Sequence, residues 1–437
     1  MSKIKTYLLI LLCVTIAYFG SLKYGFSQDD WYFLLISDAH NLSDVANFFN
    51  PLAQSGFAFF RPMGTQLYYF LFNQNPFFMH LFMLLIQSLS GYLVFRLLTE
   101  LKLKSPTPLL VALSYSVSSV HFLSLYYIAA TQQLLAAAFS LLSLIFFLKQ
   151  NYWKSAIILI LALLSKETAI VTPLIALGLM FVAKTKLTVR QFVPYAGVFI
   201  LYVVMRLATS SGTQSEYHLF FGPSVLTNIR WYFLFAANFP ETLVSYGLPR
   251  MGINIAKFIS DYGTSALIIT LSSSLIALFA LTRLVISKRW LYAVWFVAGL
   301  GPIILLRDHL YPHYLDLALI PFLLLLFQDL KPKHQYVVAV FYILASFYSI
   351  QFSEGHHWTT GRAVMTQDAL TRYDWEGICE HENVVFVGEG SAPRELSYAL
   401  SLENGPRVIC GISDLGVYYD GLHNTWPQGA YKVEVKP

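Results

Sequence analysis

The fold class is decided by residues 127–183, which have the sequence YIAATQQLLAAAFSLLSLIFFLKQNYWKSAIILILALLSKETAIVTPLIALGLMFVA. This stretch contains three apolar runs, which are separated by short loops that carry lysines. A helix needs about 20 mainly apolar residues to cross a bilayer, and shorter runs fit tilted or partly buried helices. The stretch therefore predicts consecutive membrane helices joined by tight turns.

The same pattern covers most of the 437-residue chain. Hydrophobic residues make up 56% of it and charged residues only 12%, whereas soluble domains carry about 25% charged residues. We therefore predict an all-α polytopic membrane protein rather than a soluble globule. The net charge of +5 does not indicate nucleic-acid binding, because the basic residues lie in short loops. The apolar runs predict eleven membrane helices, at 7–22, 77–98, 106–121, 127–148, 153–165, 169–183, 192–207, 264–282, 290–306, 314–329 and 336–352.

The basic residues predict the orientation of these helices. No small-x-small cleavage site follows the first apolar run, so we expect an uncleaved first helix with a cytoplasmic N-terminus. Every second loop is then cytoplasmic, and these loops are rich in lysine and arginine, as the positive-inside rule requires. The residues concerned are Lys3, Lys5, Arg96, Lys102, Lys104, Lys149, Lys154, Lys184, Lys186, Arg190, Arg283, Lys288, Arg289, Lys331 and Lys333. We expect the protein to lie in a bacterial inner membrane.

The same topology divides the chain into two domains. Residues 1–352 form the transmembrane domain, with long outer loops at 23–76 and 208–263 and an aromatic stretch, 229–246, that we expect in the membrane interface. Residues 353–437 are more polar and predict a small extracytoplasmic α/β domain. Its expected elements are a strand at 384–388, a helix at 392–403 and a second strand at 407–410. The sequence leaves open whether Cys379 and Cys410 form a disulfide, and whether this domain is a lid, an assembly surface or a substrate-binding unit.

The first outer loop carries two adjacent acids, Asp29 and Asp30. Acids are costly to hold near a bilayer and often mark a functional site. Adjacent carboxylates point in different directions on most backbones, so we expect separate roles. One would act as a general base on an acceptor hydroxyl, and the other would bind a metal or orient the acceptor. The alternative is that both acids are solvated and cap a helix that begins at Trp31.

A second group of candidates carries positive charge. Ser165-Lys166-Glu167-Thr168 lies between two closely spaced apolar runs, where a lysine and the free N–H groups of a helix start predict a phosphate site. Arg206 and Arg307 are further candidates for binding the phosphate, because guanidinium groups match phosphate oxygens. The alternatives are a local ion pair between Lys166 and Glu167, and arginines that reach toward lipid headgroups.

Histidines and one more arginine complete the candidate site. His309 and His313 are four residues apart, so they could share a helix face and bind a metal, and Arg61 follows the acidic pair in the first outer loop. The chain has no CxxC motif or Cys/His cluster, which argues against a zinc site. The need for a divalent metal as a cofactor remains open.

Three short motifs, in this order, carry a family resemblance. They are SQDDW at 27–31, FRP at 60–62 and LSKETA at 164–169. Because of their order and their predicted position on the outer side of the membrane, these motifs resemble those of the GT-C class of membrane glycosyltransferases. The most similar members are the protein O-mannosyltransferases, the TPR-containing O-mannosyltransferases and their bacterial relatives. The segment from Arg307 to Asp316 is similar to a degraded Arg-Tyr-Leu motif of that class, although no Tyr follows Arg307 directly. The resemblance covers roughly residues 5–325.

The resemblance implies an enzyme of cell-envelope glycosylation. Its substrates would be a polyprenyl-phosphate-linked sugar in the membrane lipid and an extracytoplasmic glycan, lipid or protein acceptor, and transfer would invert the anomeric centre. Asp29 would be the base and Asp30 its partner, and Lys166 with an arginine would hold the lipid phosphate. Arg61, Glu167, His309 and His313 would contact substrate. No TPR array follows the membrane part, which leaves glycan and lipid acceptors open.

Other functions compete with this interpretation. A transporter or flippase of lipid-linked sugars would carry its charges near the middle of the membrane, whereas here they are predicted at one interface. A ligase or polymerase with a diphosphate-linked donor would share much of the site. A structural assembly protein would use the tail to dock a partner.

Overall fold

The computed structural model describes residues 2–53, 59–72, 75–183, 186, 188–209, 218–248, 252–307 and 309–435. The chain is mainly helical, with one small sheet near its C-terminal end. The helices up to the end of the membrane part are α1 (Lys3–Tyr18), α2 (Asp29–Ile36), α3 (Leu42–Phe48), α4 (Gln66–Phe72), α5 (Pro76–Glu100), α6 (Thr107–Ser116), α7 (Phe122–Tyr126), α8 (Thr131–Leu148), α9 (Tyr152–Ser165), α10 (Thr172–Ala183), α11 (Val193–Thr209), α12 (Ser224–Ala236), α13 (Ile255–Ser287), α14 (Trp290–Leu300), α15 (Leu319–Phe327) and α16 (Pro332–His356).

Within the described residues, six helical segments are long and apolar enough to cross a membrane: Lys3–Lys23, Pro76–Glu100, Thr107–Tyr126, Ile128–Leu148, Ile255–Ser287 and Pro332–His356. Four shorter apolar segments accompany them: Tyr152–Ser165, Glu167–Ala183, Val193–Ala208 and Trp290–Leu305. These segments are compatible with the predicted multi-pass membrane protein, and the count of eleven stays a prediction. The tenth predicted membrane helix, 314–329, contains α15, and all nine residues of α15 are buried inside the bundle. The aromatic stretch 229–246 holds the end of α12 and a 3₁₀ helix, Glu241–Tyr246.

Small and hydroxyl side chains let the helices pack closely. In α8 and α9, the hydroxyl groups of Ser143 and Ser155 each donate to the other residue's carbonyl oxygen, at 2.8 and 2.7 Å. The Tyr195 hydroxyl of α11 lies 2.6 Å from the Ser155 hydroxyl. Gly91 of α5 lies directly against Ser116 of α6, and a Cβ at Gly91 would clash with that side chain. Such contacts favour association of helices in lipid, where apolar surface alone gives little driving force.

Polar side chains near the helix termini contact one another at each of the two ends of the bundle. At one end, the Glu354 carboxylate of α16 lies 2.6 Å from Lys23, just after α1, and accepts a 2.9 Å hydrogen bond from Tyr126 of α7. At the other end, Lys149 lies 3.2 Å from Glu100, and the Thr107 hydroxyl donates to Gln335. The candidate site lies at the end that carries Glu354.

The C-terminal part is a small α/β unit. Its elements are α17 (Trp358–Arg372), α18 (Trp375–Cys379), β1 (Asn383–Gly388), α19 (Ala392–Ala399), α20 (Asn404–Cys410), β2 (Gly416–Tyr419) and β3 (Tyr431–Val435). The strands form a parallel sheet in the order β2-β1-β3, in which Val385 lies opposite Tyr418 and Lys432. A disulfide joins Cys379 to Cys410, which resolves the alternative that the sequence left open.

The predictions for this unit were partly right. The strand at 384–388 is confirmed by β1, and the helix predicted at 392–403 is α19, which ends earlier, at Ala399. The second strand, predicted at 407–410, is wrong because these residues lie in α20. The β-branched Val408 and Ile409 favour a strand locally. Tertiary packing overrides that preference, since α20 packs against α2 and ends at Gly411, which takes a left-handed conformation with φ 65°.

Candidate functional site

The acidic pair opens α2, and its two side chains lie in different environments. Asp29 is exposed, whereas Asp30 is only 1% exposed. The expectation that the two carboxylates point in different directions is therefore confirmed. The capping alternative is wrong in its stated form, because the helix begins at Asp29 rather than Trp31 and its N-cap residue is Gln28.

Hydrogen bonds hold both carboxylate oxygens of Asp30. Its Oδ1 accepts a 2.6 Å bond from the Tyr69 hydroxyl of α4, and its Oδ2 accepts a 2.8 Å bond from the Ser27 N–H group. Burial raises the pKa of Asp30 to about 7, and these two donors oppose the rise because they favour the carboxylate. With both oxygens engaged inside the protein, Asp30 is suited to fixing the start of α2 rather than to touching an acceptor.

One short segment, Tyr127 to Gln133, connects the acids with the positively charged part of the site. The Tyr127 hydroxyl accepts a 2.9 Å hydrogen bond from the Asp29 N–H group. Further along, the Gln132 side-chain oxygen accepts a 2.8 Å bond from Arg61. The Gln133 amide then donates a 2.9 Å bond to Asp316. All of these hydrogen bonds lie at the N-terminal end of α8.

Arg61 and Glu167 form an ion pair across two loops. The Arg61 Nε donates a 2.6 Å bond to one Glu167 oxygen, and a terminal guanidinium nitrogen donates to the other oxygen. This bidentate geometry is the strongest arrangement of an arginine–carboxylate ion pair. The predicted local pair between Lys166 and Glu167 is therefore wrong, because the Glu167 carboxylate binds Arg61 instead.

Lys166 is a buried lysine with no counter-ion in contact among the residues that the structure describes. It is 4% exposed, and within the described residues its ammonium group makes no hydrogen bond or ion pair. Its Nζ lies 4.7 Å from the centre of the Tyr314 ring, a cation–π contact. Burial, together with the nearby Arg61 cation, lowers the pKa of Lys166 to about 7, and the Glu167 and Asp316 carboxylates oppose this shift. A buried ammonium group of this kind is stabilised by an anion that enters the site.

The histidines lie beside this lysine but not on one helix face. His309 lies in a loop without regular secondary structure and His313 lies in a 3₁₀ helix, Pro312–Leu315, so the predicted shared helix face is wrong. The His309 Nε2 is 2.7 Å from the Tyr314 hydroxyl, and burial with the Lys166 charge lowers the His309 pKa to about 4. Within the described ranges, no group of three or more His, Cys, Asp or Glu side chains is arranged to hold a metal ion.

The two predicted phosphate-binding arginines lie in different places. Arg206 of α11 has its guanidinium carbon 5.5 Å from the Phe59 ring, whose centre lies 4.0 Å from the Arg61 guanidinium carbon. The structure thus brings Arg206 next to the Arg61 and Glu167 pair. Arg307 is exposed instead, with its guanidinium carbon 5.9 Å from the Phe220 ring in a separate groove.

Several residues of the site were missed by sequence analysis. Gln132 and Gln133 bind the charged side chains, and Tyr69 holds Asp30. A pair of glutamines at the start of an apolar helix is unusual enough to have been a signal. Tyr69 gave none, because it is one of 28 tyrosines in the chain. Asp316 is a further buried acid, like Asp30, and its carboxylate lies 3.1 Å from Nδ1 of the buried His121.

No family model, no curated protein and no solved structure matches this chain. The resemblance to GT-C enzymes therefore rests on the short sequence motifs alone.

Proposed function

We propose that the protein is an inverting GT-C-type glycosyltransferase, which moves a sugar from a polyprenyl-phosphate donor to an acceptor outside the cytoplasm. The observation that carries the proposal is that one seven-residue segment, Tyr127 to Gln133, connects the exposed Asp29 with the charged part of the site. The segment binds the Asp29 N–H group, Arg61 and Asp316. The buried Lys166 lies close enough to Arg61 and Asp316 for their charges to act on it. A base for the acceptor and a cation for the leaving phosphate are the two groups that this reaction needs.

Asp29 is the base in this proposal. Asp29 is exposed to solvent, so an acceptor hydroxyl can reach it, whereas the neighbouring Asp30 is buried. The Tyr127 hydroxyl accepts a hydrogen bond from the Asp29 backbone N–H group, and this bond fixes the position of the Asp29 backbone. A positioned general base contributes typically 10²–10⁴-fold in rate.

Lys166 binds the donor phosphate in this proposal. Its ammonium group lies in a site of low dielectric, where an attraction to phosphate is much stronger than in water. Arg61 is already bound to Glu167, so its main part is to shape the site, and Arg206 adds positive charge beside it. The exposed Arg307 is less suited to this role than the sequence motif implies.

The bond changes follow from these two groups. The acceptor oxygen attacks the anomeric carbon of the sugar, and the bond from that carbon to the phosphate oxygen breaks. The hydroxyl proton passes to the Asp29 carboxylate, and the polyprenyl phosphate leaves with the bonding electrons, stabilised by Lys166. Attack from the face opposite the phosphate inverts the anomeric centre. Most of the rate gain then comes from positioning.

Two measurements on the purified protein in lipid nanodiscs test this proposal. Intact-lipid mass spectrometry of copurified molecules identifies a polyprenyl-phosphate sugar, and incubation with candidate acceptors then releases free polyprenyl phosphate. Release that depends on the acceptor supports transfer. Movement of an intact lipid-linked sugar across a vesicle membrane, without cleavage, would instead favour the flippase. A protein that neither binds nor cleaves lipid-linked sugars contradicts the proposal.

A further inference from the structure

Gln28, the residue before the acidic pair, has an unusual backbone conformation. Its dihedral angles are φ 50° and ψ −125°. This region is almost restricted to glycine, because a Cβ atom crowds the backbone there. A side chain persists in such a conformation only when its surroundings hold it, and held strain of this kind concentrates at functional sites. Because Gln28 directly precedes α2, its backbone angles set the direction of the chain at Asp29.

The C-terminal domain supplies the contact that holds Gln28. The Gln28 N–H group donates a 2.8 Å hydrogen bond to the carbonyl oxygen of Ala399, at the end of α19. The same carbonyl oxygen accepts a 3.1 Å bond from the hydroxyl of Thr366 in α17. Both Ala399 and Thr366 are buried. The contact therefore lies inside a packed interface rather than on a mobile surface.

A second contact of the C-terminal domain reaches the same helix. The α20 helix packs against α2, and the disulfide between Cys379 and Cys410 ties α20 to α18. The domain thus touches the first outer loop both at the strained residue and along the helix that carries Asp29 and Asp30.

We propose that the C-terminal domain is a positioning element for Asp29, and that it acts by holding Gln28 in its strained conformation. This inference rests on the proposed function, because it assigns the domain a part in that reaction. Gln28 and Thr366 are positioning residues, since neither is placed in contact with substrate. When the hold is weakened, Gln28 relaxes toward ordinary backbone angles and turns the Asp29 carboxylate away from the acceptor.

Substitutions at Gln28 test the conformation itself. Valine is β-branched and resists a positive φ, so Gln28→Val should lower kcat by about tenfold or more. Glycine adopts the same angles without strain, so Gln28→Gly should keep kcat close to the wild-type value. Donor affinity should be unchanged in both variants, because the lysine site is not part of α2.

Substitutions in α17 test the role of the domain. Thr366→Val keeps the shape of the side chain but loses its hydroxyl, and should lower kcat by about two- to tenfold. Combining Thr366→Val with Gln28→Gly should restore kcat, because glycine adopts these backbone angles without support from the C-terminal domain. Thr371→Val is the matched control, since Thr371 is exposed on the same helix and bonds only within it. Amide hydrogen exchange over residues 26–36 should be faster in Thr366→Val than in Thr371→Val.

The outcomes separate this inference from the proposed function. Rescue of Thr366→Val by Gln28→Gly, with unchanged donor affinity, supports positioning. Wild-type kcat in both Gln28→Val and Thr366→Val overturns it. If the wild-type protein transfers no sugar, the proposed function fails, and hydrogen exchange decides the inference alone. Exchange that is equal in Thr366→Val and Thr371→Val would then overturn it, and faster exchange in Thr366→Val would support it.

Discussion

The Tyr69 hydroxyl donates a 2.6 Å hydrogen bond to Oδ1 of Asp30, a residue 39 positions earlier in the chain. Both side chains are almost completely buried. The bond ties α2, which carries the acidic pair, to α4, which follows Arg61. The segment that carries the two acids is therefore tied to the segment that follows Arg61. A substitution at Tyr69 should change the position of Asp29, although Tyr69 itself is not placed in contact with substrate.

Tyr69→Phe should lower both stability and turnover while leaving donor affinity unchanged. The substitution keeps the ring but removes the hydroxyl, and the loss of a hydrogen bond to a charged group costs about 1.5–3 kcal/mol. We expect a lower melting temperature and a reduced transfer rate. Tyr32→Phe provides the control, since Tyr32 lies on the same helix as the acids but is only partly buried. Equal melting temperatures for Tyr69→Phe and the wild-type protein would show that the bond contributes little.

Asp30 should make the stability of the protein depend on pH. Burial raises its folded-state pKa to about 7, from a usual value of 3.8. A folded-state pKa above the unfolded value means that the folded protein binds the proton more tightly. The stabilisation is then fully present below about pH 4 and is lost as the pH rises through about 7. The melting temperature should therefore fall over this interval by more in the wild-type protein than in Asp30→Asn. Asp38→Asn, at an exposed acid, should behave like the wild-type protein; identical profiles for all three would contradict the shift.

Lys166→Ala should weaken donor binding and leave the fold intact. The ammonium group has no counter-ion in contact within the described part of the chain, so its removal breaks no ion pair. A hydrogen bond from a charged group to the donor phosphate corresponds to about 1.5–3 kcal/mol, or roughly ten- to a hundredfold in affinity. Lys154→Ala is the control, at an exposed lysine near the other end of α9. Donor affinity that is the same in both variants would remove Lys166 from the phosphate site.

The protonation state of Lys166 adds a second check on the same residue. Since its pKa is lowered to about 7, a growing fraction of the free protein carries a neutral amine as the pH rises above 7. Donor affinity should then decline between about pH 7 and 9. Lys166→Arg keeps its charge throughout this range, so any binding that it retains should not decline.

Sidedness should follow the distribution of basic residues. In a background with Cys13→Ala, a cysteine introduced at Lys102 or Lys288 should be shielded from an impermeant thiol reagent in intact cells, because these positions are predicted to be cytoplasmic. A cysteine at Ser391, which is exposed in the C-terminal domain, should react. A shielded Ser391 position would mean an even number of membrane crossings and would move the candidate site to the other side.

Sequence analysis recovered the long apolar helices because long apolar runs are a strong local signal, while the count of eleven membrane helices stays a prediction. It failed at 407–410, where packing of α20 against α2 decides the conformation and no local signal records that contact. The partner of Glu167 was missed for the same reason. A neighbouring lysine is visible in the sequence, whereas Arg61 lies 106 residues away and meets Glu167 only in the folded chain.

The sequence also located the acidic pair but could not separate its members. Asp29 and Asp30 are identical residue types at adjacent positions, so only the fold determines which one is buried. The strain at Gln28 was equally hidden, because glutamine does not mark a positive φ as glycine would. The environment of Asp30 thus depends on Tyr69, and the proposed positioning of Asp29 depends on the C-terminal domain, both of which are distant in sequence.

The most direct test of the central claim is the turnover of Asp29→Asn measured beside its donor affinity. Asparagine keeps the size of the side chain and can accept a hydrogen bond, but it cannot take up the acceptor's proton. We expect an unchanged melting temperature, unchanged donor affinity and a transfer rate lower by about 10²-fold or more. Normal turnover in Asp29→Asn would contradict the assignment of Asp29 as the base, and normal turnover in both Asp29→Asn and Asp30→Asn would contradict a glycosyltransferase site at the acidic pair.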